Sequence, residues 1–403
     1  MDSPYTICRE EPDGTYTLSV YASPKQYKKD GEYCLVDNSL TVSEEKTYSF
    51  ENKAGAIKTY FPKGFPGVIE IRRGQQSMRL LFQGDFDGYS DGVAKTFTTC
   101  YGDSVEAIVY EREDRDIIVY PSGTGIHMEL MVKRALQDNF LNWRVDCKSS
   151  GFQDNENGYI LFRTGTTING IVHQPLLCRG DSEPMEIYDA ISVWKNASDY
   201  AVNLPMPQEG IRYPYRLDLA FELYENKLPD STAYSQRPVN AYLSNVALLG
   251  NSEWGEGRHY SRLRVSYFMT MSSNDVLSAT YHFRKLSGSA TSPVIAKRVN
   301  SQWSSTQLLW NSQPSLGDAL GVAKPDDEDK WYSVDITDFI RECLKDPLWE
   351  TESKGFALSC ENGSGSLLIA TSDHTLYSPY LELKLRKLPV YFEGKANIND
   401  TLY

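Results

Sequence analysis

Apolar and polar residues alternate with a period of two through much of the chain. Tyr16, Leu18 and Val20 alternate with threonine and serine directly after an Asp-Gly turn pair. Successive side chains of a β-strand point to opposite faces, so this pattern predicts a strand with one buried face. The same alternation predicts further strands at residues 69–72, 262–267, 277–283 and 381–386.

Short breaks rich in Gly, Pro, Asn, Asp and Ser separate these patterns, at residues 62–67, 84–92, 155–158 and 287–293. Such spacing is typical of β-sandwiches or barrels and predicts an all-β fold. The clearest helical pattern covers residues 337–344, where the apolar residues share one face and Asp335 or Thr337 can cap the start. A second short helix is predicted near residues 131–142.

The length and one polar stretch predict two β-sandwich regions. A chain of 403 residues exceeds what one core usually serves. Apolar periodicity is lost at residues 226–238, where Lys, Pro, Asp, Ser and Gln dominate. We therefore predict an N-terminal β-rich region over 1–230, a second sandwich over 231–390 and a tail over 391–403. A division of the first region into two subdomains, near residues 84–92, stays open.

Residues 238–388 resemble the DNRLRE domain family through a series of short motifs in order. They are RLRVSYF at 262–268, LSATY at 277–281, VNSQW at 299–303, LWNSQP at 309–314, WYSVDIT at 331–337, GFAL at 355–358 and PYLEL at 379–383. The resemblance implies a jelly-roll β-sandwich found on bacterial and archaeal surface proteins and related to some carbohydrate-binding modules. It also implies that Trp303, Trp310 and Trp331 belong to the core.

Residues 1–230 are similar, more loosely, to the region that precedes this domain in RHS (YD-repeat) wall-associated proteins. The motifs are PDGTYT at 12–17, GEYCLVDNSL at 31–40 and GIHMEL at 125–130. This resemblance implies a bacterial protein that is secreted or exposed at the cell surface, although residues 1–25 lack the layout of a signal peptide.

Charge and cysteine content exclude several classes of partner. The formal net charge of −13 argues against binding to nucleic acid, which needs clustered Lys and Arg. No apolar run is long enough to predict a transmembrane helix. Seven cysteines without a CxxC motif or a paired-histidine pattern do not support a zinc site. The sequence indicates no oligomeric state.

The sequence predicts no catalytic residues. No GxSxG, HExxH or Cys-His signature is present, and each of the five histidines is interpreted as a surface or packing residue, namely His127, His173, His259, His282 and His374. No cofactor is predicted, with calcium as an alternative at the Gly-rich turn of residues 84–92. Its candidate ligands are Asp85, Asp87 and Asp91.

Aromatic residues suggest one further kind of site. The chain has 27 Tyr, 15 Phe and 7 Trp, and sugar-binding modules stack exposed rings on pyranose faces. Trp254 lies in a predicted loop and is the candidate ligand-binding residue.

Three functions follow from these features. The first is a non-catalytic secreted or cell-surface structural or adhesion protein, a fragment or relative of an RHS-type wall-associated protein. The second is a carbohydrate-binding protein that recognises a cell-wall or plant-type polysaccharide. The third is a polysaccharide-acting enzyme on a β-scaffold, which no pair of residues in the sequence supports.

Overall fold

The computed structural model describes residues 3–83, 88–136, 140–149, 151–155, 159–179, 185–188, 191–195, 199–207, 211–223, 230–238, 244–263, 271–325, 330–346 and 354–388. These residues form antiparallel β-sheets with one short α-helix, which confirms the all-β prediction.

The strands of the first third of the chain are β1 (Thr6–Glu10), β2 (Tyr16–Tyr21), β3 (Gln26–Lys29), β4 (Glu32–Leu35), β5 (Asp37–Val42), β6 (Phe50–Ala54), β7 (Lys58–Phe61), β8 (Val68–Arg73), β9 (Gln76–Gln83), β10 (Val93–Thr98), β11 (Ser104–Glu111), β12 (Arg115–Pro121) and β13 (Gly125–Val132). They continue with β14 (Phe140–Asp146), β15 (Gly151–Asn155), β16 (Tyr159–Thr164), β17 (Thr167–His173), β18 (Leu176–Cys178), β19 (Glu186–Ile187), β20 (Ser192–Lys195), β21 (Tyr200–Pro205), β22 (Tyr215–Glu222) and β23 (Asp230–Tyr234). The last strands are β24 (Val246–Ser252), β25 (Gly255–Ser261), β26 (Val276–Ala290), β27 (Ile295–Val299), β28 (Leu316–Val322), β29 (Lys324–Pro325), β30 (Trp331–Asp335), β31 (Phe356–Ser359), β32 (Gly365–Ala370) and β33 (Tyr380–Leu385).

The N-terminal sandwich consists of two sheets that enclose one core. One sheet has the order β20-β21-β14-β9-β8-β7-β6-β5, and the other has the main order β10-β11-β12-β13-β22-β17-β16-β15. A single apolar cluster lies between them, with Trp143, Phe162 and Phe221 among its fully buried side chains. Strands from both sides of residues 84–92 therefore contribute to one core.

The C-terminal sandwich depends on the long strand β26, which takes part in both layers. Its first half pairs with β33 and β30, and its second half pairs with β32 after an irregularity between Lys285 and Ser287. Such irregularities let a strand bend from one sheet into the other. Tyr281, Phe283 and Leu383 lie in the apolar cluster between the layers.

The first hairpin of the chain belongs to this C-terminal sandwich. Strand β2 pairs along its whole length with β33, from Tyr16 opposite Leu385 to Tyr21 opposite Tyr380. Leu18 and Val20 are buried in the same cluster as the C-terminal strands. The pairing joins strands from both sides of the predicted boundary at residue 230, which stays a prediction.

The helix α1 (Thr337–Cys343) lies where the sequence predicts it. Asp335 Oδ1 accepts a hydrogen bond from the N–H of Thr337 at 2.8 Å. The helix predicted near residues 131–142 is wrong in the described residues, because Met131 and Val132 are the last two residues of β13 and Phe140 begins β14. Both segments bury one face in the N-terminal core, which favours strands there.

Candidate functional site

One face of the C-terminal sandwich carries a line of side chains across four adjacent strands. Tyr21 on β2 lies opposite Tyr380 on β33, which lies opposite His282 on β26, which lies opposite Ser333 on β30. Paired residues of antiparallel strands project to the same side of a sheet. Their sequence neighbours on the four strands point into the core, namely Val20, Leu381, Tyr281 and Val334. The line therefore faces away from the core.

Four rings on this outer face form what we call the aromatic row, namely Tyr21, Tyr380, His282 and Trp331. The ring centroids of Tyr21 and Tyr380 are 5.0 Å apart, and His282 stacks on Tyr380 at 4.5 Å with an interplanar angle of 9°. Trp331 meets Tyr380 edge-on at 5.7 Å. All four rings are half-buried and line an open pocket of about 490 Å³.

The pocket also presents polar groups. Lys25 and the hydroxyl residues Ser333 and Ser378 line it together with the aromatic row. The ammonium of Lys25 lies 5.4 Å from the centroid of the Tyr21 ring, and burial lowers the pKa of this ammonium to about 8. Rings that hold an apolar face beside donors and acceptors can stack on a sugar and bond to its hydroxyls.

Ser333 also lines a larger open groove of about 1290 Å³ beside the aromatic row. The floor of the groove includes Thr280 and Asp335, which are paired on the same outer face. Strand β28 forms one wall, and Gly321 allows its approach because a Cβ there would lie 2.8 Å from the carbonyl oxygen of Asp335. Row and groove are thus two parts of one surface.

Four charged side chains of the groove form two ion pairs. Glu342 forms an ion pair with Arg298, and Asp338 lies 3.5 Å from Arg341. Arg341 also donates to the carbonyl oxygen of Val276 at 2.9 Å. These contacts order the groove wall that the helix forms.

The tryptophans predicted to be core residues divide into two groups. Trp303 and Trp310 are partly buried and pack against a buried cluster that includes Leu308. The Trp303 Nε1–H donates to the carbonyl oxygen of Lys354 at 2.7 Å. The core prediction is wrong for Trp331, because it shares the outer face of β30 with Ser333.

Trp254 lies in the turn between β24 and β25, as the loop prediction expects, but its side chain is only 6% exposed. It packs against Tyr234, and the guanidinium of Arg237 lies 4.0 Å from its ring centroid. The same apolar cluster contains Tyr101 and Leu176 of the N-terminal region. The exposed ring that the sugar-contact hypothesis assumed is therefore absent at Trp254, whose ring packs between the two sandwiches.

The calcium hypothesis is not tested by the structure. Asp85 and Asp87 lie outside the described residues, and Asp91 is an exposed residue that forms an ion pair with Lys63 at 3.1 Å. Within the described ranges, no group of three or more His, Cys, Asp or Glu is arranged to hold a metal ion. None of the helices in those ranges is long and apolar enough to cross a bilayer.

A buried network of polar side chains joins the two sandwiches. His127 Nδ1 lies 3.0 Å from Asp218 Oδ1, and its Nε2 forms a hydrogen bond with the hydroxyl of Thr375. The order of hydroxyl, imidazole and carboxylate is that of a nucleophile with its base. His127, Asp218 and Thr375 are 0%, 2% and 2% exposed, so a substrate cannot reach these side chains in this structure. It is a packing arrangement, as predicted for the histidines.

Two carboxylates of this network face each other directly. Glu129 on β13 is the cross-strand partner of Asp218 on β22. Burial and the neighbouring Asp218 raise the pKa of Glu129 to about 7. The hydroxyl of Tyr120 and the N–H of Cys100 donate to Glu129 Oε1 at 3.0 and 2.9 Å.

One family model matches the C-terminal part of the chain. Residues 230–384 match the model of carbohydrate-binding module family 96, so a β-sandwich domain of this family is found in the C-terminal part of the chain. The match covers nearly the same residues as the predicted DNRLRE-like module, under a different family description. It favours carbohydrate binding over the structural or adhesion role placed first above.

The other comparisons add little. No curated protein matches the chain. One solved structure, described as a crystal structure with xylogluco-oligosaccharide, is 10% identical over 92% of this chain and 96% of that chain. Its TM-score is 0.16, so this similarity supports no argument.

Proposed function

We propose that this protein is a non-catalytic polysaccharide-binding protein, and that the aromatic row with its adjoining groove is the binding face. The aromatic row carries the proposal: Tyr380 contacts both His282 and Trp331 on the outer sheet face, although the core beneath them is already sealed. Half-exposed rings that the core does not need are typical of a recognition surface.

The shape of the face favours an extended chain over a single sugar. The line of side chains crosses four strands, a width of about 14 Å from the usual spacing between strands. The groove beside it is open to solvent and is lined by hydroxyl, amide and charged groups. We infer a cell-wall or plant-type polysaccharide as the ligand and an extracellular or cell-surface location for the protein.

Affinity electrophoresis of the full chain in gels that contain single soluble polysaccharides, both neutral and uronate-containing, tests the proposal. We expect retardation by at least one polysaccharide, and at least a tenfold loss of affinity in Trp331→Ala or Tyr380→Ala, which is about 1.4 kcal/mol. Trp194→Ala is the matched control, because Trp194 is 48% exposed on β20 of the other sandwich.

The same samples separate binding from catalysis. We expect no release of reducing ends from the retained polysaccharide, because the groove acids Glu342 and Asp338 are paired with Arg298 and Arg341. Equal affinity of Trp331→Ala, Tyr380→Ala and the wild type would contradict the assignment of the face, and depolymerisation would contradict the non-catalytic role.

A further inference from the structure

The aromatic row is not contained in the matched carbohydrate-binding domain. Tyr21 and Lys25 precede residues 230–384 by about two hundred positions, yet both line the same pocket as Tyr380 and Trp331. We propose that the N-terminal segment of residues 21–25 is part of the glycan site, with Tyr21 and Lys25 as binding residues that the domain alone lacks. This inference rests on the proposed function.

Several contacts fix the segment against the domain. Strand β2 pairs with β33 up to Tyr21 opposite Tyr380, and the N–H of Ala22 donates to the carbonyl oxygen of Pro379 at 3.1 Å. The hydroxyl groups of Ser23 and Ser378 form a hydrogen bond, and both residues are buried. The N–H of Lys25 donates to the carbonyl oxygen of Pro4 at 2.6 Å. A segment held in this way is ordered before a ligand arrives, which lowers the entropy lost on binding.

The packing of the core does not account for Tyr21. Leu18 and Val20 already fill the core face of β2 and are 0% and 3% exposed. Tyr21 points to the other side, where its ring extends the row beyond Tyr380. Tyr21 therefore extends the proposed binding face by one strand, from β33 to β2.

The properties of Lys25 favour recognition over stability. Desolvation lowers the pKa of its ammonium to about 8, so the ammonium stays mostly charged at pH 7, but burying that charge costs stability. An apolar residue of similar length would avoid this cost. A charged group retained in such a place is typical of a binding site, and an ammonium offers three donors to sugar hydroxyls.

The proposal sets the direction of the bound chain. A glycan that contacts both Trp331 on β30 and Tyr21 on β2 must cross the strands and extend over the full width of the sheet face. Short oligosaccharides can occupy Tyr380 and Trp331 without reaching Tyr21. The contribution of Tyr21 should therefore grow with the length of the oligosaccharide, which a purely structural role would not produce.

Titration calorimetry with the full chain and a size series of oligosaccharides from the retained polysaccharide tests this inference. The variants are Tyr21→Val, which keeps strand preference, and Lys25→Met. We expect at least a fivefold loss of affinity for the longest oligomers and less than a twofold loss for the shortest. Lys25→Met should unfold at an equal or higher temperature than the wild type at pH 7, so its weaker binding cannot come from misfolding.

Matched controls come from the neighbouring hairpin. Tyr27→Val and Lys28→Met alter residues on β3, outside the pocket, and should bind like the wild type. If Tyr380→Ala weakens binding while Tyr21→Val and Lys25→Met do not, the inference is overturned and the proposed function stands. If Tyr380→Ala and Trp331→Ala also bind normally, or if no polysaccharide is retained, both are overturned.

Discussion

Replacing Leu18 by alanine should destabilise the C-terminal sandwich, although Leu18 lies near the start of the chain. The side chain is fully buried on β2, opposite Leu383, which is also 0% exposed. Apart from Cys8, Tyr16 and Val20 of the same hairpin, the apolar residues of this cluster follow residue 245. Leu18→Ala thus leaves a cavity between the two C-terminal layers.

Leucine-to-alanine changes at fully buried sites destabilise proteins by 2 to 5 kcal/mol, and we expect about 3 kcal/mol here because both layers hold the cavity open. A loss of about 3 kcal/mol corresponds to roughly a hundredfold faster hydrogen exchange where exchange requires opening of this sheet. A chain with two cores need not unfold in one step, so a local measurement is preferable to a single melting temperature.

Hydrogen exchange followed by mass spectrometry provides that measurement, with peptides that cover β33 and the first half of β26. Protection should fall in these peptides and stay unchanged in β8 and β13, which belong to the other core. Leu35→Ala is the control, because Leu35 is 63% exposed and its change should cost less than about 0.5 kcal/mol. Unchanged exchange in β33 of Leu18→Ala would refute the pairing of β2 with the C-terminal sheet.

Two further predictions concern the buried network and the groove. Glu129→Gln should raise the free energy of unfolding near pH 8 by up to about 3 kcal/mol relative to the wild type. The pKa of Glu129 is raised to about 7 in the folded protein. Its stabilising contribution is therefore present below pH 4.5 and is lost as pH rises through 7. Urea unfolding between pH 4 and pH 8 checks this, and an equal pH dependence of variant and wild type would contradict it. Gly321→Val should weaken polysaccharide binding at least fivefold, because its Cβ would press on the carbonyl oxygen of Asp335 and move β28. Retardation like that of the wild type would mean that this wall does not shape the site.

The alternation of apolar and polar residues predicts the strands, but it does not predict which residues cover their polar faces. His127 and Glu129 alternate with Ile126 and Met128 on β13, which reads as a strand with one face in water. In the structure both polar residues are 0% exposed, because Thr375 and its neighbours in the C-terminal region cover that face. A local pattern carries no information about a partner surface that lies far along the chain.

Part of the proposed binding face can be predicted from the sequence. Trp331 alternates in phase with Ser333 and Asp335, while Val334 belongs to the opposite phase. That phase indicates that the Trp331 ring points away from the core, whereas the family motif around Trp331 predicts a core residue. The contribution of Tyr21 could not be predicted, because it depends on pairing between β2 and β33 at opposite ends of the chain.

The central claim is that the outer face of the C-terminal sandwich holds a polysaccharide across its strands. A crystal structure of the full chain with an oligosaccharide from the retained polysaccharide tests this most directly. We predict sugar rings stacked on Tyr380 and Trp331, with the chain continuing toward Tyr21 and Lys25. An oligosaccharide bound elsewhere, with the aromatic row empty, would contradict the account.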